Sequence, residues 1–199
     1  MQKKYKDITE FLSSIELDFE NSQNSLNKAI MSDDLILTRE AANAIVGLKL
    51  WINDNVVKKQ QAVGNTAPGY ISLFYGDSAN AKSATATWLA NQTGTKLLRV
   101  DLSSVINKYI GETEKGLKDL FDGMAETGSV LFFDEADAIF GKRTNIKDSH
   151  DRYANVEVNY FLQRVERLAG LKIISTSAKG NIDTTFLRRL QSVIHFPAK

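Results

Sequence analysis

The spacing of apolar residues changes part-way along the chain. Over the first stretch Tyr5, Ile8, Phe11, Leu12, Ile15 and Phe19 recur at intervals of three and four, which makes one apolar helix face. Asn21–Ser25 interrupts it, a short piece follows near Leu26–Met31, and Ser32-Asp33-Asp34 reads as a turn. Thr38 is placed to cap a longer helix carrying Ile45, Leu48, Ile52 and Val56. Nothing before residue 68 reads as a strand, and these apolar faces suit packing on a domain or neighbouring subunit better than ligand binding. Gln61–Gly69, with Gly64, Asn65 and Pro68, predicts a linker. The chain therefore divides into a helical segment with its linker, 1–68, and a core, 69–199.

In the core the pattern alternates. Strands are predicted at Tyr70–Tyr75, Lys96–Asp101, Val130–Asp134, Leu171–Thr176 and Ser192–Phe196. Helical stretches fall between them: around Ser83–Gln92, from the loop after Asp101 through Asp122, over Ala136–Phe140 and Tyr153–Leu168, and around Thr184–Leu190. Such alternation predicts an α/β fold, a parallel five-stranded sheet flanked by helices.

Two strand ends carry chemistry. The first strand runs into Gly76-Asp77-Ser78-Ala79-Asn80-Ala81-Lys82-Ser83, with a helix expected to open at Lys82-Ser83. A strand, a tight loop and a helix start, in that order, form a phosphate cradle. Backbone N–H groups wrap the anion, and the helix N-terminus adds partial positive charge. In the pattern G-x-x-x-x-G-K-[ST], the lysine reaches the β- and γ-phosphates and the hydroxyl helps hold Mg²⁺. Gly76, Lys82 and Ser83 fit it; Ala81 stands at the second glycine, so this stretch alone is equally a plain strand-turn-helix. The run Ser129-Val-Leu-Phe-Phe-Asp134-Glu135-Ala-Asp137 decides between them. Four apolar residues in a row fit a strand buried on both faces, with Asp134 and Glu135 at the edge where such sheets bind ligands. Asp134 is then a magnesium-shell carboxylate and Glu135 the base for an attacking water. Together the two stretches predict a nucleoside triphosphatase core with a Mg²⁺ site.

Composition narrows the reading. With 199 residues, 43% hydrophobic, the chain can build one well-cored domain with a small appendage. A net charge of +1, from 25 basic and 24 acidic residues, gives no sign of a nucleic-acid or acidic-membrane partner. The absence of cysteine excludes disulfides and thiolate metal sites. No apolar run approaches the ~20 residues of a membrane span and no signal-peptide pattern is present, so a cytoplasmic protein is expected. His150 and His195 have no metal-ligand spacing, and His195, in an alternating strand, reads as structural.

With the elements ordered, Val100–Ser104, Lys108–Lys115, Leu131–Ala138 and Phe186–Leu190 resemble AAA+ ATPases of the membrane-remodelling and unfoldase branch. Phe140–Arg143 and Lys147–Asn155 are similar to the small AAA+ ATPases encoded with phage-tail-like contractile injection systems. The resemblance covers Tyr70 to Lys199 and implies a homo-oligomeric ring, such as a hexamer, acting on a protein client. It makes Lys108-Tyr109-Ile110 a pore loop that grips a polypeptide, and Arg188 and Arg189 arginine fingers reaching a neighbour's γ-phosphate. By composition alone the arginines are a solvated pair. They precede strand five, expected on the far side of the sheet from Lys82 in strand order, so that neither reaches its own subunit's γ-phosphate easily and action in trans is expected.

Three departures set further expectations. Ala79 and Ala81 replace loop glycines, and if either site needs positive φ an L-residue costs roughly 1–2 kcal/mol. The loop is also similar to that of minichromosome maintenance helicases, which share Gly-Asp at its start and Ala-Lys-Ser at its end. Ser177 stands where the family carries the asparagine that orients the attacking water. Only Pro197-Ala198-Lys199 follow strand five, so no lid domain is expected. A weak ring and slow turnover follow from these three features. The alternatives are a degraded AAA+ protein acting as a non-hydrolysing binding or assembly component and, less favoured by the near-neutral charge, a nucleic-acid motor.

Overall fold

Strands that are apolar at every position can be satisfied only with strands on both edges and helices on both faces, and this governs the architecture. The computed structural model describes residues 37–57, 69–108, 121, 129–140, 160–177, 180, 182 and 184–197. Five strands, β1 (Gly69–Tyr75), β2 (Leu97–Asp101), β3 (Val130–Asp134), β4 (Gly170–Thr176) and β5 (Ser192–His195), form one sheet in the order β2-β3-β4-β1-β5. Every neighbouring pair is parallel. β3 and β4 are buried along their whole length, while the edge strand β2 is largely accessible. The predicted α/β class, a five-stranded parallel sheet flanked by helices, is the observed one.

The helices are α1 (Arg39–Ile52), which runs on into a π-helical turn at Asn53–Val57, α2 (Ala79–Thr93) and α3 (Leu102–Lys108). Single turns at Asp137–Phe140 and Thr184–Leu187, and helical residues 160–167, complete the set among the described residues. Thr38 caps α1 as its sequence suggests, its Oγ1 accepting from the Ala41 N–H at 3.2 Å, and Ile45, Leu48, Ile52 and Val56 are buried. Asp101 ends β2 and caps α3, its Oδ1 accepting from the Ser103 and Ser104 N–H groups at 2.9 and 3.2 Å. Hydrogen bonds from the Ser104 and Ser103 hydroxyls, then from those N–H groups, hold its carboxyl down at about 2. The apolar face expected over Tyr5–Phe19 lies outside the described residues.

Each face of the sheet has its own core. On one, Phe74, Phe132, Ile173 and Ile194 pack beneath α1 and α2, against Ile45, Leu48, Ile52 and Leu89. On the other, Leu73, Leu131, Phe133 and Ile174 meet Phe121, Phe161, Val165 and Phe186, with Phe133 and Phe161 edge to face at 5.4 Å. Alternation along each strand assigns the side chains to the two faces. Arg99, next to Phe132 in the β2–β3 register, accordingly stands on the α2 side.

A lysine lies inside the sheet. Lys172 of β4 is fully buried, and its ammonium donates to the Leu168 carbonyl at 2.6 Å, just past helical residues 160–167. Burial lowers its pKa from 10.5 to about 8, with Glu166 pulling the other way. Because the folded value lies below the unfolded one, this group weakens the fold below about pH 8 and ceases to do so as the pH climbs toward 10.5. Urea unfolding of the parent and of Lys172→Met should therefore diverge with pH. The parent should gain up to roughly 3 kcal/mol relative to the variant across that window. A constant difference would show that Lys172 titrates as an ordinary lysine.

Candidate functional site

In the sheet order β4 lies between β1 and β3, so the turns that follow these strands meet at one edge. The turn after β1 begins at Gly76, whose φ of 124° is open to glycine and strained for other residues. A Cβ there would lie 2.0 Å from the Phe196 carbonyl oxygen, so glycine is required on both counts. The Gly76 N–H donates to the Thr176 carbonyl at the end of β4, at 3.2 Å. Asp77 and Ser78 follow, and then α2 begins.

α2 opens at Ala79, not near Lys82-Ser83 as the sequence suggests. Ala79, Asn80 and Ala81 form its first turn, so both alanines have right-handed backbone and no left-handed penalty arises. Alanine is the best helix former and extends the helix toward the strand. Ala81 is fully buried, Asp77 and Asn80 are exposed, and Ser78 is half-buried at the N-cap without a side-chain cap bond. The amides at the head of α2 beyond reach of intrahelical carbonyls thus receive no oxygen from the Ser78 side chain.

Lys82 is buried, and its ammonium is held between two carbonyls, Gly76 at 2.7 Å and Thr176 at 2.8 Å. Burial pushes its pKa below the ordinary lysine value, and the surrounding carboxylates Asp134, Asp137, Glu135 and Asp77 oppose that shift. Asp134 is buried at the end of β3, and its Oδ1 accepts from the Glu135 N–H at 3.1 Å. Glu135 is exposed and has φ 55°, the sole left-handed non-glycine among the described residues. For such a residue that conformation costs roughly 1–2 kcal/mol.

Two residues not singled out from sequence join the site. Asp137, on the single turn after β3, accepts from the Thr176 hydroxyl on Oδ1 and from the Ser177 N–H on Oδ2, each at 2.7 Å. It fixes the backbone of Ser177, whose side chain is exposed. The signal was present in the Asp-Glu-Ala-Asp run, whose last member lies one short turn past the strand. Arg99 of β2 carries no such signal. Its guanidinium donates to Asp134 Oδ2 at 2.5 Å and to Ser83 Oγ at 3.4 Å, and sits 5.9 Å from the Phe132 ring centroid. Ser83 and Asp134, the two oxygen donors expected at a magnesium ion, are thus close enough to share one guanidinium. Among the described residues no group of three or more His, Cys, Asp or Glu side chains can hold a metal ion. One hydroxyl and one carboxylate match the way Mg²⁺ is held with phosphate oxygens and water.

The remaining candidates are not gathered here. β5 pairs directly with β1, so Arg188 and Arg189 lie on the flank beside the strand that precedes Gly76; their distance along the chain is not distance across the sheet. Arg188 is exposed, and Arg189 is ion-paired with Glu166 at 2.6 Å. Lys108 is the last residue of α3, and its side chain, like Tyr109 and Ile110, lies outside the described residues.

Residues 72–198 match the family model "ATPase family associated with various cellular activities (AAA)". The chain is 31% identical over 131 residues to 26S proteasome regulatory subunit 7 homolog B of Arabidopsis thaliana, covering 62% of this chain and 28% of that protein. It is 40% identical over 80 residues to proteasome-activating nucleotidase 1 of Haloferax volcanii, covering 40% of this chain and 20% of that protein. A longer match, 26% identical over 189 residues, is to cell division protein C of Sulfolobus acidocaldarius, covering 86% of this chain and 50% of that protein. The chain thus spans less than a third of the first two relatives and half of the third.

Asp137 provides a test of how the edge is held. Asp137→Ala removes both bonds to the end of β4 and should lower stability by about 1–3 kcal/mol. Asp137→Asn, which keeps a carbonyl oxygen, should lose less. Urea melts that leave Asp137→Ala level with the parent would show that β4 ends in place without it.

Proposed function

The chain belongs to the ATPase family associated with various cellular activities (AAA), and on that premise we propose that it binds ATP with Mg²⁺ and hydrolyses it slowly within a homo-oligomeric ring that remodels a protein client or assembly. The observation that supports this most directly is the meeting of Gly76, Lys82 and Ser83 with Asp134 across the end of β4. Family membership implies nucleotide binding; the assignment to residues is our own. In this reading the turn Gly76–Ser78 and the first amides of α2, at Ala79, Asn80 and Ala81, receive the phosphates, and the positive end of the helix dipole favours them. Lys82 exchanges its two carbonyl partners for β- and γ-phosphate oxygens. Ser83 and Asp134 would hold Mg²⁺, which neutralises charge on those phosphates when bound. Glu135 takes a proton from the attacking water, Ser177 contributes one hydroxyl to orient that water, and Arg188 and Arg189 act on a neighbour's γ-phosphate.

The names of two relatives refer to the proteasome, and a protein client is the corresponding partner class here. Lys108, Tyr109 and Ile110 are proposed to grip that client. The likeness of Phe140–Arg143 and Lys147–Asn155 to injection-system ATPases makes a contractile assembly one such client. We take 1–68 as an appended helical segment and 69–199 as the nucleotide-binding core. No helix among the described residues is long and apolar enough to cross a membrane, and we propose a cytoplasmic location. A second reading, a non-hydrolysing binding or assembly component, is favoured by one observation: Lys82 is already satisfied by two carbonyls, so ATP must compete for it.

Calorimetry and phosphate-release assays separate these readings. Lys82→Ala should abolish ATP binding, because that ammonium is the one side-chain charge proposed for the β- and γ-phosphates. Unchanged affinity would remove the phosphate-loop assignment. Glu135→Gln should bind ATP and not turn it over. Specific activity of the parent should rise with protein concentration, since a finger supplied in trans can contribute about 10³–10⁵ in rate. Mixing the Arg188→Ala/Arg189→Ala chain with Lys82→Ala should restore part of that activity. ATP binding without turnover at any concentration would select the binding component.

A further inference from the structure

Among the described residues, Arg99 is the cation whose position coincides with a site assigned to another. It stands on β2, the edge strand, on the face shared with α2, with its guanidinium carbon 5.9 Å from the Phe132 ring centroid and 56% of its side chain accessible. Asp134, its partner, is by contrast 8% accessible. One Nη atom donates to Asp134 Oδ2 and the other to Ser83 Oγ. These are the two oxygen atoms proposed to hold Mg²⁺. A guanidinium and a divalent cation on the same two oxygens lie within a few ångströms of each other, and their like charges repel at that range, so the two compete for the site. Asp134 is nearly removed from water, so it needs a positive partner in whichever state it occupies. The rest of the edge obeys the same rule, with Lys82 held among the carboxylates of Asp134, Asp137, Glu135 and Asp77.

We propose that Arg99 is an internal competitor for the metal site: in the nucleotide-free chain its guanidinium bridges Asp134 and Ser83, and a divalent cation enters only by displacing it. This rests on the magnesium assignment above and adds a residue that sets how much metal is needed. The displacement costs little structure. The arginine is more than half exposed, so its head can swing into water, giving up its place over the Phe132 ring and its two oxygen partners. The exchange is electrostatic: a bridged, partly exposed ion pair is given up for a divalent ion on the same oxygens. With its arginine in water and its carboxylate nearly out of it, the pair is worth somewhat more than a fully exposed one, which predicts a shift in metal affinity of about three- to tenfold and not an all-or-none block.

The test uses Mn²⁺ as the probe and the full chain without nucleotide, with free metal followed by electron paramagnetic resonance. Arg99→Gln, which preserves most of the stem, should bind Mn²⁺ about three- to tenfold more tightly than the parent, and Arg99→Ala should behave alike. Adding Ser83→Ala to Arg99→Gln should reverse the gain, which ties it to the bridged pair of oxygens. Thermal melts with and without Mn²⁺ supply a second readout, with a larger metal-induced rise expected in Arg99→Gln than in the parent. Equal Mn²⁺ affinity in the parent and both arginine variants would overturn the proposal, as would a gain that survives Ser83→Ala. Separate ATP titrations keep the two ideas apart. Loss of ATP binding with the Mn²⁺ shift intact would count against the proposed function and leave the competition standing.

Discussion

The carbonyl oxygen of Thr176 accepts from two directions, from the Gly76 N–H and from the Lys82 ammonium, and the carboxyl edge of the sheet is organised around it. Its position is set by β4, which is buried at all of its positions and paired with β1 on one side and β3 on the other. The side chain of the same residue donates to Asp137, so one residue ties the turn after β1 to the turn after β3. A register slip of one residue would carry Ser175 or Ser177 into that position and turn every β4 side chain to the opposite face. The double core forbids such a slip, because Ile173 and Ile174 belong to different faces. Placement of the candidate site is therefore a by-product of packing far from it.

The features legible in the sequence were those written by neighbours along the chain. The apolar run before Asp134 announced a strand buried on both faces, and Thr38 announced the start of α1, because each signal is local. Gly76, Lys82 and Ser83 could be placed on one loop and helix for the same reason. α2 starts at Ala79 instead of the expected Lys82-Ser83, because at Ala79 and Ala81 helix propensity decides the backbone, a signal the glycine-loop pattern hides. Arg99 could not be found in this way. Its partners Asp134 and Ser83 are 35 and 16 residues distant and meet it only once the strand order is known. The order also corrects the distance of Arg188 and Arg189 from β1, since the last strand to form in sequence is paired with the first.

Lys82 and Arg99 answer the same physical demand in different ways. Each is a cation beside the carboxylates at the end of β3, and each has oxygen partners within the chain. Lys82 is buried and uses main-chain carbonyls, so its partners do not depend on any side chain staying in place. Arg99 is exposed and uses a hydroxyl and a carboxylate. Both cations at this edge thus already have oxygen partners, and a ligand that takes either of them must exchange contacts, not merely add them.

Glu135 carries a different kind of consequence. Its left-handed backbone is one that glycine or asparagine adopts at less expense. Replacement by either would therefore relax the main chain while deleting a carboxylate, so folding stability and acidity at this position pull in opposite directions. Random variation filtered only for robust folding would drift away from glutamate here. A screen for hardier versions of this chain would be expected to return Glu135 substitutions among its successes, and those successes would be the ones to distrust.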